Sequence, residues 1–204
     1  PERFEFQHCG KRLQLPHVIA QFCAPHSDST LLEVYYGLAA NEFETATQTS
    51  AQQNYQLERG FFLCDKNWQP LFSRREPRKL VFPHTANDST ALLIDRWSLH
   101  APPGAFQFSL EARAETTKHS GAERDALTVE DFSGAGLNLS SVVLATQITA
   151  ARTDLILYRK GELNLIPSLR RQFEIDSALY VYYEIYNLAL DPSGNLIVSD
   201  TGNN

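Results

Sequence analysis

The sequence contains no methionine, only three cysteines and two tryptophans in 204 residues, and no uninterrupted apolar run long enough to form a membrane-spanning helix. Three cysteines, Cys9, Cys23 and Cys64, are too few for a small scaffold held together by several disulfides. One disulfide, such as Cys23 to Cys64, and three free thiols both fit the sequence. Because the chain begins at Pro1 with neither a methionine nor a signal peptide, we interpret it as a piece of a longer protein.

Positive charge is also scarce, since 18 Lys and Arg face 24 Asp and Glu, for a net charge of -6. Phosphate contacts require clustered Lys and Arg, so nucleic acid is excluded as a general partner. The only basic run, residues 74–79, could hold an anionic partner. It contains Pro77 and lies between two predicted strands, so we interpret it as a solvated loop.

Strand patterns dominate the chain, and no long stretch keeps the 3.6-residue period of a helix. The clearest strand covers residues 106–114, where apolar and polar side chains alternate, so that one set faces a core and the other faces water. Further strands are predicted at residues 17–23, 55–64, 68–72, 79–82, 91–99, 126–130, 141–148, 155–158 and 194–199. The sequence therefore predicts an all-β protein.

Turn-forming residues separate these strands, for example at residues 65–67 and 102–104. Short strands at this spacing, each with one buried face, typically build a two-sheet sandwich. We predict an immunoglobulin-like β-sandwich over residues 1–136. The small residues at 133–136 then form a hinge into the rest of the chain.

A tyrosine-rich motif occurs twice, as LLEVYYGL at residues 31–38 and as ALYVYYEI at residues 178–185. A repeat larger than a hairpin indicates tandem domains, so we predict a second, truncated β-sandwich repeat over residues 137–204. Incomplete sheets leave edges that invite self-pairing, so we expect a longer chain to be more heat-stable and to dimerise less. The strips predicted to face the two cores are Leu32, Val34, Tyr36 and Leu38, and Leu179, Val181, Tyr183 and Ile185.

The order of these segments resembles the β-rich region of bacterial GWxTD domain-containing proteins. The resemblance is carried by residues 15–22, 32–38, 103–108, 127–132 and 137–145, and by the later run 180–188. The pentapeptide that names the family does not occur in this sequence. The resemblance implies an exported bacterial protein, in the periplasm or at the cell surface, with no established catalytic activity and therefore no catalytic residues to assign.

A zinc site is the sharpest functional hypothesis from residue types, because histidine and cysteine concentrate near the start of the chain. Zinc needs about four such ligands converging tetrahedrally. The spacing lacks closely spaced Cys-x-x-Cys pairs, so we predict ordinary strand and loop residues and assign no metal or cofactor. The residues concerned are His8, Cys9, His17, Cys23 and His26.

Catalytic signatures are missing, so we predict that the chain is not an enzyme. Ser140 and Ser141 do not lie in a Gly-x-Ser-x-Gly elbow, and residues 134–136 do not match a phosphate-binding glycine loop. Glu130 and Asp131 are neighbours on a strand end and point to opposite faces. They cannot act together as an acid/base pair on one bond.

Aromatic side chains are the remaining candidates for binding. Alternation places Tyr180, Tyr182 and Tyr186 on the strand face opposite the predicted core strip. Tyr35 has the same position in the first copy of the motif. Trp68 and Trp97 lie where exposure to solvent is possible. Exposed aromatics bind proteins or glycans. We predict a non-catalytic structural or protein-interaction module with an unknown protein partner; the alternative is a carbohydrate-binding module.

Overall fold

The computed structural model describes residues 11–24, 28–42, 47–48, 52–83, 92–151, 158–170, 173, 175–189 and 193. Apart from the 3-10 turn Ala40–Glu42, the regular elements in this part of the chain are β-strands, which confirms the all-β prediction. The strands are β1 (His17–Cys23), β2 (Thr30–Ala39), β3 (Thr47–Gln48), β4 (Gln52–Cys64), β5 (Pro70–Pro83), β6 (Leu92–Ala101), β7 (Gly104–Ala114), β8 (Ser120–Val129), β9 (Asn138–Leu139), β10 (Val143–Ala150), β11 (Arg159–Lys160), β12 (Leu163–Pro167), β13 (Tyr180–Tyr182) and β14 (Ile185–Tyr186).

The strands form three antiparallel sheets and a short two-stranded ladder. The middle sheet has the order β1-β2-β6. The first outer sheet has the order β3-β4-β7-β8, with β5 paired to the other side of β4. The second outer sheet has the order β11-β12-β10-β13, and β9 pairs with β14.

The first core lies between the middle sheet and the first outer sheet. Leu32, Val34 and Tyr36 of β2 are fully buried there, against Phe61 of β4 and Leu110 of β7. Each such apolar side chain contributes roughly 1.5–3 kcal/mol through its removal from water. The alternation predicted for β2 and β7 is correct at this interface.

A second core covers the opposite face of the same middle sheet. Phe22 of β1 and Tyr35 of β2 are fully buried against Val143 and Ala145 of β10 and Leu165 of β12. The middle sheet is therefore buried on both faces, which makes a three-layer arrangement. The expectation of one buried face per strand was wrong here: Tyr35 lies opposite the predicted core strip, as expected, but that face is covered by the second core.

The second copy of the tyrosine-rich motif adopts the reverse orientation. Leu179, Val181, Tyr183 and Ile185 were predicted to face a core, but all four are exposed. Alternation shows which side chains share a face without showing which face is covered, and the wrong choice inverts every residue. The proposed division at residue 136 stays a prediction, although the second core takes residues from both sides of it.

The basic run is part of a strand and is not a loop. Residues 70–83 form one continuous strand, β5, in place of the two strands predicted at residues 68–72 and 79–82. Proline is accepted at a sheet edge because its missing N–H can face solvent. Of the other predictions, the strand at residues 17–23 is confirmed, whereas residues 155–157 and 194–199 lie outside the described residues.

Candidate interaction surface

Two chain segments form a broken antiparallel ladder that we call the ribbon, residues 138–145 and 180–186. Leu139 pairs with Ile185 in the β9–β14 part, and Leu144 pairs with Val181 in the β10–β13 part. Residues 140–142 and 183–184 interrupt the two parts and belong to no strand. The ribbon thus continues the second outer sheet past a break.

The break fastens the ribbon to the outer edge of the middle sheet. The Ser141 N–H donates to the Gln21 carbonyl at 3.0 Å, and the Gln21 N–H donates to Ser141 Oγ at 2.9 Å. Ser140 keeps its place in the ladder, since its N–H donates to the Glu184 carbonyl at 2.9 Å and its Oγ accepts the Glu184 N–H at 2.8 Å. Both hydroxyl groups therefore serve the backbone, which gives them a structural role.

On the inward side of the ribbon, one lysine joins three elements. Lys160 Nζ of β11 lies 3.6 Å from Glu33 Oε2 of β2 and 3.5 Å from Glu184 Oε1. The same ammonium lies 3.2 Å from the centre of the Phe22 ring. Its side chain is only 11% exposed, so two carboxylates and an aromatic face replace most of its water.

Tyrosine hydroxyls also donate to both carboxylates, and Arg96 Nη1 donates to Glu33 Oε1 at 3.2 Å. Tyr35 donates to Glu33 at 2.7 Å, while Tyr182 and Tyr186 donate to Glu184 at 2.7 and 2.6 Å. Burial, and then the adjacent carboxylate, raises the pKa of each of these tyrosines well above its usual value. They remain protonated donors at neutral pH. We call this set, Lys160 with Glu33, Glu184, Tyr35, Tyr182 and Tyr186, the lysine cluster.

Sequence reasoning missed the lysine cluster, because its members come from distant parts of the chain. One signal was present: Glu33 and Glu184 are single carboxylates inside apolar, tyrosine-rich strand patterns. A carboxylate at such a position requires a buried partner. The pattern does not reveal that the partner is Lys160.

The outward side of the ribbon is apolar and exposed. The exposed fractions of Leu139, Val181, Tyr183 and Ile185 are 51, 47, 49 and 44%. Their chain neighbours Leu137, Val142 and Leu179 are also exposed. We call these seven side chains the ribbon face, and none of them carries a charge.

Exposed apolar side chains are concentrated in this part of the molecule. Among the described residues, the large hydrophobic side chains that are exposed outside positions 137–188 are Trp68 and Leu71. The edge strand β5 carries Arg74, Pro77 and Lys79, which are residue types that prevent sheet edges from pairing with other chains. The ribbon face, by contrast, contains neither a charged residue nor a proline.

A second polar cluster, the arginine cluster, lies inside the first core. Arg59 Nη1 donates to Asp95 Oδ2 at 2.8 Å, and the Tyr36 hydroxyl donates to the same oxygen at 2.7 Å. The Arg59 guanidinium also lies over the Trp97 ring, 3.9 Å from its centre, and hydrogen-bonds to Glu76. Burial raises the pKa of Tyr36, while the Asp95 charge keeps the Arg59 pKa raised despite burial. Because Asp95 of β6 is fully buried and Arg59 lies on β4, the arginine cluster links the middle sheet to the first outer sheet.

The proposed zinc ligands are not brought together by the described structure. His17 Nδ1 lies 3.0 Å from the Leu15 carbonyl, and Cys23 is a free thiol at the other end of β1. Cys64 is also a free thiol, so the disulfide considered for Cys23 and Cys64 is not formed. His8, Cys9 and His26 lie outside the described residues. In the part of the chain that the structure describes, no three His, Cys, Asp or Glu side chains form a group suited to a metal ion.

The other sequence candidates are dispersed. Trp97 is buried beneath Arg59, so the exposure considered possible for it is not found, whereas Trp68 is 60% exposed in the turn after Asp65. Asp131 is exposed, and the hydrogen bonds from Ser133 lower its pKa. Tyr182 and Tyr186 point inward to Glu184 instead of outward as predicted.

Comparisons with known proteins add no assignment to this geometry. Among the described residues, no helix is long and apolar enough to cross a membrane. No protein-family model matches the chain, and no curated protein matches it either.

Proposed function

We propose that the chain is a non-catalytic structural or protein-interaction module built from β-sandwiches, and that the ribbon face is its binding surface. The observation that carries this proposal is the exposure of seven uncharged apolar side chains, five on the ribbon and two next to its ends. The largest apolar patch on a typical monomer is about 300–600 Å² and often functional. At roughly half exposure, seven such side chains present on the order of 500–700 Å².

The rigidity of the ribbon supports a binding role. The lysine cluster and the two bonds between Ser141 and Gln21 hold the ribbon from behind, so its outward side chains are displayed on a fixed frame. A rigid surface loses little conformational entropy on binding. Interface cores are poor in charged residues, and the ribbon face has none.

We further propose an immunoglobulin-like topology for the first sandwich and a place for the protein outside the bacterial cytoplasm. The packing of β1-β2-β6 against the five-stranded outer sheet supports the first point. The resemblance to GWxTD domain-containing proteins supports the second. Fractionation of cells that express the whole gene tests the location: recovery in the cytoplasm would contradict it.

A site-specific photocrosslinker tests the binding surface in cells. A photoreactive phenylalanine analogue at Tyr183 is expected to form adducts of one defined protein mass. The matched control carries the same analogue at Leu71, which is similarly exposed on β5. Equal adducts at both positions, or none at Tyr183, would contradict the proposal.

A carbohydrate-binding module is the second candidate, and it now depends on Trp68. This residue is exposed beside the exposed Leu71, and an exposed indole can stack on a sugar ring. A glycan array with the wild-type protein and Trp68→Ala is the test. Retention that is lost in the variant favours this candidate, and an array without binding removes it.

A further inference from the structure

We propose that the ribbon face packs against the ribbon face of a second copy of this chain. The inference rests on the proposed function, since it names the partner of the same surface. Two ribbons with apolar outward sides would stack as the sheets of a sandwich do, about 10 Å apart. The contact is then isologous, with the same patch on both copies.

The size of the surface fits such a contact. Two copies of the ribbon face would bury roughly 1,000–1,400 Å² in total, which reaches the ~1,000 Å² expected of a specific interface. The cross-strand pair of Leu139 and Ile185 marks one end of the ribbon, and Val181 marks the other. In an antiparallel arrangement each end meets the opposite end of the partner.

The charge distribution permits a second copy to pack at this face. The protein has a net charge of -6, so most contacts between two copies bring like charges together. On the ribbon, the carboxylate of Glu184 turns inward. There it accepts hydrogen bonds from the hydroxyls of Tyr182 and Tyr186 and lies near Lys160. The outward side chains are uncharged, so the patch can meet itself without repulsion.

Paired charge variants test this arrangement with the full chain. Sedimentation equilibrium of the wild-type protein, up to about 100 μM, is expected to show twice the chain mass. A variant with Val181→Lys and Ile185→Lys, and another with Val181→Glu and Ile185→Glu, are each expected to remain monomeric. Mixing the two in equal amounts restores the dimer, because each positive face then meets a negative one. Leu71→Lys, at equal exposure on β5, retains the wild-type mass.

Circular dichroism and thermal midpoints establish that both variants remain folded, which exposed positions should permit. A wild-type monomer at every concentration would overturn the inference, and so would a dimer that survives either double variant. A mixture that stays monomeric would show that the face does not meet itself, with the same consequence. None of these failures affects the proposed function, because photocrosslinking at Tyr183 reports other protein partners separately.

Discussion

The guanidinium of Arg75 on β5 is bonded to the carboxylate of Glu111 on β7, although β4 lies between the two strands. The contact passes over Gly60, which is the register partner of both residues. A Cβ at Gly60 would lie 2.9 Å from the Phe62 ring and 3.5 Å from Glu111. The missing side chain therefore makes a channel in which two oppositely charged side chains meet across a strand.

Gly60→Val is expected to lower the free energy of unfolding by about 1–3 kcal/mol, because the added atoms crowd a packed site and separate Arg75 from Glu111. Glycine inside a strand usually weakens it, so propensity alone predicts the opposite sign. Urea unfolding measures the change. Gly136→Ala is the control, since a Cβ there has nothing within 4 Å and should leave stability nearly unchanged. A Gly60→Val variant as stable as wild type would contradict this account.

Gly121→Ala is expected to destabilise the attachment of the segment that precedes β1. A Cβ at Gly121 would lie 2.4 Å from the carbonyl oxygen of Leu13, a backbone atom that cannot rotate away. The Leu13 N–H donates to the Ser120 carbonyl, so the added methyl group pushes the two segments apart. We expect a loss of about 1–3 kcal/mol in urea unfolding and faster amide exchange at Leu13. Unchanged exchange at Leu13 would show that the contact is not needed.

Asp95→Asn is expected to lower the free energy of unfolding by about 3–5 kcal/mol, because it removes the fully buried one of the two carboxylates that neutralise Arg59. Tyr36→Phe removes one donor from the same carboxylate and should cost less, about 1–2 kcal/mol. Unfolding in guanidinium chloride, monitored through tryptophan fluorescence, compares the stability of the two variants. A larger loss of stability in Tyr36→Phe than in Asp95→Asn would contradict this account. It would show that the hydroxyl stabilises the arginine cluster more than the ion pair does.

Lys160→Met is expected to lower the free energy of unfolding by about 1–3 kcal/mol, since Glu184 loses its pairing with Lys160 and Glu33 keeps Arg96. Methionine keeps most of the volume of the lysine stem, so packing against Phe22 is largely retained. Lys11→Met is the control: Lys11 also pairs with a carboxylate, that of Glu42, but its side chain is 65% exposed. Exposed pairs contribute about 0–1 kcal/mol. Equal effects of the two substitutions in urea unfolding would contradict the role given to the lysine cluster.

Stability is expected to fall at alkaline pH. Burial, together with Glu33 and Asp95, raises the pKa of Tyr35 and Tyr36 in the folded chain above the unfolded value of about 10. The unfolded chain releases these protons first, so this stabilisation is complete below about pH 10 and declines above it. The decline is about 1.4 kcal/mol per pH unit for each tyrosine.

Urea midpoints between about pH 8 and pH 12 measure this slope. Tyr35→Phe and Tyr36→Phe should each make it shallower. Tyr183→Phe, a substitution on the exposed ribbon face, serves as the control. A slope that is the same in wild type and in both buried variants would show that neither hydroxyl is linked to the pH dependence.

The alternation of apolar and polar residues was sufficient to predict a strand whose alternate side chains pack into one core. The β1 bounds are those predicted, and the inward set of β2 is correct at Leu32, Val34 and Tyr36. It failed for β5, because Pro77 and four basic residues indicate a loop unless the strand is known to lie at an edge.

Long-range contacts decided the outcomes that the sequence could not predict. The ribbon side chains alternate as expected, yet which side faces inward depends on Lys160 and on the bonds between Ser141 and Gln21, residues 120 positions apart. Trp97 is buried because Arg59, from a different sheet, covers its ring. The apolar ribbon face therefore resembles a core strip in sequence, and only the fold shows that it is uncovered.

The middle sheet contributes to both cores, and residues from both sides of position 136 share the second core. Removing everything after residue 136 would strip Phe22, Tyr35 and Ile94 of the side chains that cover them. The shortened protein would then expose an apolar surface on the middle sheet, so it would aggregate or unfold at a lower temperature. A force applied to the strands after residue 136 is therefore transmitted directly to β2. The two cores should then unfold in a single cooperative step.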